Sequence, residues 1–357
     1  MNVFFVETPL QLMNAIEAKH ARALVGNHLV VLLSDIYPRG FFEPLLEDDS
    51  WDSIRYVESR VPARGALRRR LQSHASTRVR SYYETVELRG LRKRLDALAG
   101  PFGRAERLFI GNYYLEHMRH VANVLPHDRL VLLDDGTTTL DIAEQRRRHA
   151  EGKPAQPGKS WRARLVDRAI GWKLGHPAHA TFFSMYDLNL SPADSLERHD
   201  YSFLRARAMR VERGSEVLFL GQTIYYEGIA EEEYLARLRC VATHYGVDRF
   251  VYVPHKGEHR DRVRHIREEL GLAVRTFDVP IEYQLAMRGP LPGVLASFYS
   301  SALENCRLIF GADLTIEAVY LDPQLLTRGV EFVRRVYEYY GSKSTPQFRV
   351  LNLDCND

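Results

Sequence analysis

Leu130-Val131-Leu132-Leu133-Asp134-Asp135-Gly136 decides the fold. Four apolar residues in a row predict a strand buried on both faces, the pattern of a parallel sheet covered by helices. The strand delivers two adjacent carboxylates to a turn closed by glycine. Successive strand side chains point to opposite faces, so only one of the two acids faces a given side. A carboxylate at a strand end can act as general base, taking a proton from an attacking hydroxyl. The same pair would equally serve as a helix N-cap and turn, with Thr137–Thr139 opening the next helix.

The same strand, turn, helix order repeats outward from this point. Val3–Val6 and Leu29–Leu33 are apolar strands, with Ile54–Val57 a weaker one. Leu10 to Ala23 shows helical spacing. Leu108–Ile110 is a strand entering the polar turn Gly111-Asn112. Gly65–Leu98 reads as mostly helical and basic, and Gly152–Ser160 as an exposed loop rich in proline and glycine. After a break around Val211–Ser215 a second series follows: strand Val217–Leu220, helix Ala230–His244, strand Phe250–Pro254, helix Glu258–Leu270, then strand Ala273–Phe277, the apolar run Val294–Tyr299 and strand Leu308–Gly311. The pattern predicts an α/β chain of two Rossmann-like domains, 1–212 and 213–357, facing a central cleft. An exposed basic insertion is expected near 146–173.

Composition supports a globular chain: 357 residues, 45% hydrophobic and 27% charged. No run of about 18 apolar residues would span a membrane. The N-terminal Met1–Glu7 reads as a buried strand and not as a signal peptide. Three cysteines, Cys240, Cys306 and Cys355, predict neither a disulfide framework nor a zinc site, and place the chain in a reducing cytoplasm. The net charge of +3 conceals two basic stretches, Arg60–Arg94 at +9 and Arg146–Lys173 at +7. Such stretches form a solvated helix face or meet an anionic partner: a membrane surface or an acidic acceptor. No nucleic-acid recognition motif accompanies the charge, so no nucleic-acid partner is expected.

Other chemistry falls at predicted strand ends, where open α/β sheets bind their ligands. Phe250–Glu258 places His255 and Lys256 where a strand gives way to a helix, a ready anion site. Ser300 and Ser301 cap the next predicted helix and offer two hydroxyls toward phosphate; a plain serine cap explains them equally. Glu282 is a carboxylate suited to ribose hydroxyls in a nucleotide binder. Gly221, followed by Gln222, permits close backbone approach to a ligand. There is no dinucleotide fingerprint and no Walker loop. The dispersed histidines, His117, His120, His176 and His179 among them, lack a third ligand at known spacing, so no metal is expected.

The order of these motifs resembles the bacterial sialyltransferases: the lipooligosaccharide enzymes of glycosyltransferase family 52 and the related capsule polysialyltransferases. The resemblance rests on Asp134-Asp135-Gly136, on His255 at a strand end, and on Ser300-Ser301. Glu7-Thr8-Pro9-Leu10-Gln11-Leu12, Phe109-Ile110-Gly111-Asn112-Tyr113-Tyr114 and Phe219-Leu220-Gly221-Gln222 also look like family 52. The motifs are short, and their order carries the specificity. The resemblance implies a GT-B fold, a CMP-activated nonulosonic acid donor, inversion at the anomeric carbon, and no metal or other cofactor. By it, Asp135 or Asp134 is the general base and His255 stabilises the departing CMP phosphate. Ser300 and Ser301 hold that phosphate, and Glu282 holds the ribose. Gly221, Gln222 and Lys256 join the donor side, while Pro9, Gln11 and Asn112 join the acceptor side. The implied partners are the donor and a glycan or glycolipid acceptor, with a cytoplasmic location and a peripheral contact at the inner membrane face. One departure stands out: the expected His-Pro-Arg-Glu is here His255-Lys256-Gly257-Glu258. That opens other CMP sugars such as Kdo. A GT-B-like nucleotide-sugar epimerase and an inactive nucleotide-binding subunit are the alternatives.

Overall fold

The computed structural model describes residues 1–47, 49–59, 77–153, 161–208, 213–222 and 228–354; for 77–84 and 161–164 it describes the backbone alone. The chain forms two compact units, Met1–His199 and Asp200–Asp357.

In the first unit seven strands form one sheet: β1 (Asn2–Val6), β2 (Asn27–Leu33), β3 (Ser53–Glu58), β4 (Ala105–Ile110), β5 (His127–Leu133), β6 (Thr181–Ser184) and β7 (Ser195–Arg198). Their order is β3-β2-β1-β4-β5-β6-β7, and every neighbouring pair is parallel. The strand order reverses between β1 and β4, which makes that gap the topological switch point of the sheet. Val3 and Phe5 of β1, Val30 and Leu32 of β2 and Leu132 of β5 enter a core closed by Leu91 and Leu95 from the Thr77–Phe102 helix and by Met118 and Val121 from the Glu116–Val124 helix. Burying each such side chain stabilises by about 1.5–3 kcal/mol. The turn out of β1 is set locally. Thr8 caps the Pro9–Ala21 helix by accepting the Gln11 amide, and Pro9 opens the helix where no backbone N–H is needed.

In the second unit six strands form another sheet: β8 (Val217–Leu220), β9 (Phe250–Val253), β10 (Ala273–Val274), β11 (Val294–Ser297), β12 (Thr315–Val319) and β13 (Phe348–Leu351). The order is β10-β9-β8-β11-β12-β13, again parallel throughout, with its switch point between β8 and β11.

Several expectations are corrected. Leu308–Gly311 is not a strand: Leu308 to Phe310 close the helix Ser301–Phe310, whose Leu303, Cys306, Ile309 and Phe310 are buried at helical spacing. The strand beside β11 is Thr315–Val319, and Thr181–Ser184 and Phe348–Leu351 are further strands that the sequence reading missed. The first unit ends at His199, before the expected 212/213 boundary. The Ser202–Arg207 helix belongs to the second unit, where Arg205 donates to the Leu308 carbonyl at 3.0 Å. The stretch 146–173 is largely helix, spanning the end of Thr138–Ala150 and all of Trp161–Ile170; the loop 154–160 and Arg68-Arg69-Arg70 lie outside the described residues. Arg146 is buried and grips Asp194 with two hydrogen bonds of 2.9 and 2.7 Å. Arg147 pairs with Glu144 and Glu151. These two arginines therefore serve the fold. Cys240 is disulfide-bonded, against the sequence expectation.

Candidate active site

In the first unit the chemistry gathers at the carboxyl ends of β1, β4 and β5. Leaving β5, Asp134 is turned inward and is 1% exposed. Its Oδ2 accepts from the Met185 amide at 2.8 Å and lies 3.2 Å from His199 Nε2. Its carbonyl accepts from Asn14 at 2.8 Å. The His199 ring stacks on Phe183. Asp134 thus ties β5 to β6, β7 and the first helix.

Asp135, one residue on, keeps part of its surface open to solvent. Gly136 follows at φ +61°, a left-handed turn residue that lets the chain swing into the next helix. The Asp135 amide donates to Thr139 Oγ1 at 3.0 Å. Asn112, at the end of β4, donates from Nδ2 to Asp135 Oδ2 at 2.5 Å, and Gln11 hydrogen-bonds the same carboxyl from the first helix. Gln11 also accepts the Glu7 amide at 2.8 Å. Gly111 makes room for it: a Cβ there would fall 2.2 Å from Gln11 Oε1. Desolvation pushes the Asp135 carboxyl up to about 6. The Gln11 and Asn112 bonds oppose the rise, while Glu7 and Asp134 add to it. Tyr37 faces the same carboxyl; its own burial, and then Asp135, push its hydroxyl up to about 12. Glu7 pairs with His117 at 2.8 Å. The result is a carboxyl that changes protonation near neutrality, held by two amide side chains beside the β1/β4 switch point. That is the property a general base needs.

In the second unit β8, β9 and β11 end together. At the end of β9 the turn His255–Glu258 is stapled by its own glutamate. Glu258 accepts from the His255 amide at 3.2 Å and from the Tyr252 hydroxyl at 2.7 Å, and Tyr252 in turn meets the Tyr234 hydroxyl at 2.8 Å. The Gly257 amide donates to His255 Nδ1 at 3.1 Å. An accepting Nδ1 leaves the ring proton on Nε2, so neutral His255 presents an outward N–H donor. Desolvation, and then the neighbouring Lys256 charge, lower the His255 pKa and favour that neutral form. Desolvation pushes Glu258 up to about 7, against its bonds to Tyr252 and the His255 amide and the charge of Arg262. Gly221 does not open onto a ligand as expected. The space a Cβ would take holds the Tyr252 hydroxyl at 2.3 Å and Glu258 Oε2 at 2.7 Å. Gln222 braces β8 to β11 by accepting the Tyr299 amide at 3.1 Å. Ser300 caps the Ser301–Phe310 helix by accepting the Ala302 amide, and Ser301 opens its first turn. Lys256 turns its ammonium to the Phe277 carbonyl. Glu282 is 4% exposed and accepts from Asn305 at 2.7 Å; burial raises its pKa.

Known structures resemble the whole chain. The crystal structure of TcCGT1 in complex with UDP is 11% identical, with a TM-score of 0.55, over 99% of this chain and 86% of that one. Arabidopsis thaliana UGT89C1 is 12% identical, with a TM-score of 0.51, over 99% and 85%. A Methanocaldococcus jannaschii UDP-GlcNAc 2-epimerase, solved with UDP-GlcNAc and UDP, is 9% identical, with a TM-score of 0.47, over 99% and 89%. Two parallel α/β units matched along their length decide the architecture. The chain has the GT-B fold. No family model and no curated protein matches it.

Within each GT-B unit the expected residues divide clearly. Gln11, Asn112 and Asp135 come together in the first unit, with Pro9 buried in the helix start behind them. Gly221, Gln222, His255, Ser300 and Ser301 mark the strand ends of the second. Asp134, Lys256 and Glu282 are engaged by the protein itself. The Glu7–His117 pair, Tyr37, and the Tyr234–Tyr252–Glu258 chain were not singled out from sequence. Glu7 and Glu258 sit inside quoted motifs, but their partners come from other elements. Among the described residues no group of three or more His, Cys, Asp or Glu could hold a metal ion, and no helix is long and apolar enough to cross a membrane.

Proposed function

We propose that this chain is an inverting glycosyltransferase. It moves a sialic acid or related nonulosonic acid from its CMP conjugate to a hydroxyl of a bacterial surface glycan, lipooligosaccharide or capsule. The observation that carries the reading is Asp135: a strand-end carboxyl pushed up to about 6 and aimed by Asn112 and Gln11. Asp135 takes the proton of the acceptor hydroxyl as that oxygen bonds to the anomeric carbon. The bond from the anomeric carbon to the phosphate oxygen breaks, and its electron pair leaves with CMP. Negative charge then grows on the CMP phosphate. The Nε2–H of His255 and the capped start of the Ser301–Phe310 helix, with Ser300 and Ser301, are donors suited to that charge. Loss of one such donor typically costs about 100- to 1,000-fold in rate.

The GT-B fold and the order of the acidic, histidine and serine motifs support this reading. The basic stretch Arg60–Arg94 supports an anionic acceptor or a peripheral contact at the inner face of the cytoplasmic membrane. The test is CMP release from CMP-sialic acid, with and without galactoside acceptors, beside parallel reactions with UDP-sugars. Acceptor-dependent CMP release, lost in Asp135→Asn with CMP binding retained, is expected. Turnover of a UDP-sugar alone would overturn the donor assignment. Release of free sugar without an acceptor would favour the epimerase-like chemistry.

A further inference from the structure

A cavity of about 470 Å³ opens near the amino-terminal ends of β4 and β5, lined in part by Arg92, His120, Lys173 and Gly100. Its floor is next to Gly103 and Pro126, which precede β4 and β5, whereas Asp135 follows the far end of β5. Seven residues of strand separate the two ends, about 20 Å at the usual rise. The cavity is therefore separate from the candidate active site.

Its polar wall is built in layers. Asp96 receives Arg92 Nη1 at 2.5 Å on one oxygen and lies 2.9 Å from His120 Nε2 with the other. His120, 1% exposed, accepts the Lys173 amide on Nδ1 at 3.0 Å, so its proton sits on Nε2, toward Asp96. Trp172 closes the far side of that ring edge-on at 5.1 Å. Desolvation lowers the His120 pKa, in keeping with a neutral imidazole. Asp96 is thus neutralised by Arg92, and its acceptor atoms are in use. Two cations line the same wall: Arg92, whose side chain is 27% exposed, and the exposed Lys173. With Asp96 already matched by Arg92 and His120 neutral, Lys173 leaves this wall with a surplus positive charge. The two basic stretches of the sequence meet here. Arg92 lies two residues from the end of one and Lys173 ends the other, and Arg89 donates across to the Ala169 carbonyl at 2.6 Å. The remaining wall is apolar: Ala99, Val124 and Pro126.

We propose that this cavity binds an amphiphile with a phosphate head, the anion between Arg92 and Lys173 and the apolar stem along Ala99, Val124 and Pro126. A charged rim over an apolar wall suits that ligand better than a bare anion, and the volume lies within the range of small-molecule sites. Binding is measured on the full chain by calorimetry with three probes: n-hexyl phosphate, inorganic phosphate and 1-hexanol. Each methylene taken out of water is worth about fourfold, so hexyl phosphate should bind at least tenfold tighter than phosphate. Lys173→Gln, at an exposed position, should weaken hexyl phosphate about tenfold and leave hexanol unchanged. Gly100→Leu points into open space, with nothing within 4 Å of its Cβ, and should weaken hexyl phosphate tenfold or more by filling the cavity. Equal affinity for phosphate and hexyl phosphate would overturn the amphiphile assignment. No binding, or hexyl phosphate binding unchanged in both variants, would overturn the site. None of these readouts depends on sugar transfer.

Discussion

Asp135→Asn tests the proposed base on two independent axes. The substitution keeps the shape and an acceptor oxygen but removes the ionisation. Transfer at neutral pH should fall about 100- to 10,000-fold, the usual cost of losing a general base. Stability should change in the other direction. The carboxyl titrates near 3.8 when exposed and at about 6 in the folded unit. Below 3.8 it is protonated in both states, and it has no effect on the balance. Between 3.8 and 6 the unfolded chain ionises first, so folding must hold a proton that water would remove, and stability falls as pH rises. Above 6 the penalty is complete, about 3 kcal/mol at 1.36 kcal/mol per pKa unit. Asparagine carries no such penalty. The variant's unfolding free energy, minus that of the parent, should therefore grow by about 2–3 kcal/mol from pH 4 to pH 7. Urea titrations of both proteins at the two pH values measure this difference of differences, which cancels any pH-independent cost of the amide. A difference that stays flat, or shrinks toward pH 7, would refute the account of Asp135 as a desolvated acid, whatever the rates show.

Glu258→Gln should flatten the pH dependence of CMP binding: in the parent, protonating a carboxyl near 7 removes a negative charge beside the proposed phosphate site, so affinity should fall as pH rises from 6 to 8. Equal slopes in parent and variant, read by calorimetry, would remove Glu258 from that role. Gly221→Ala places a methyl 2.3 Å from the Tyr252 hydroxyl and 2.7 Å from Glu258. It should destabilise the second unit by about 1–3 kcal/mol and loosen the His255 turn. A variant with unchanged melting and unchanged CMP affinity would show that the turn tolerates the shift.

Much of the fold was legible because buried parallel strands are short apolar runs with polar ends. Val217–Leu220 was read with its observed bounds, and Leu29–Leu33 and Leu130–Leu133 within three residues of theirs. Leu308–Gly311 failed for a physical reason. A short apolar run ending in glycine looks the same whether it closes a buried helix or forms a strand, and Leu308-Ile309-Phe310 is too short to show by itself the helical spacing that Leu303, Cys306 and Ile309 share. β7, Ser195-Leu196-Glu197-Arg198, was missed because an edge strand with exposed residues carries little apolar signal.

The candidate site was legible in its parts and not in its assignments. Asp134 and Asp135 are indistinguishable in sequence, and alternation alone says that they differ without saying how. What separates them is long-range: Met185 and His199 claim Asp134, some 50 to 65 positions away, while Asn112 reaches Asp135 from the end of β4 and Gln11 from the first helix. The same holds for Lys256. A lysine next to a strand-end histidine reads as a phosphate contact, yet the Phe277 carbonyl takes its ammonium. That leaves the proposed donor side with neutral groups, the His255 Nε2–H and the helix start at Ser300. Recognition there depends on oriented hydrogen bonds more than on net charge, so the geometry of the Glu258 staple, which orients the His255 turn, becomes the critical element on that side.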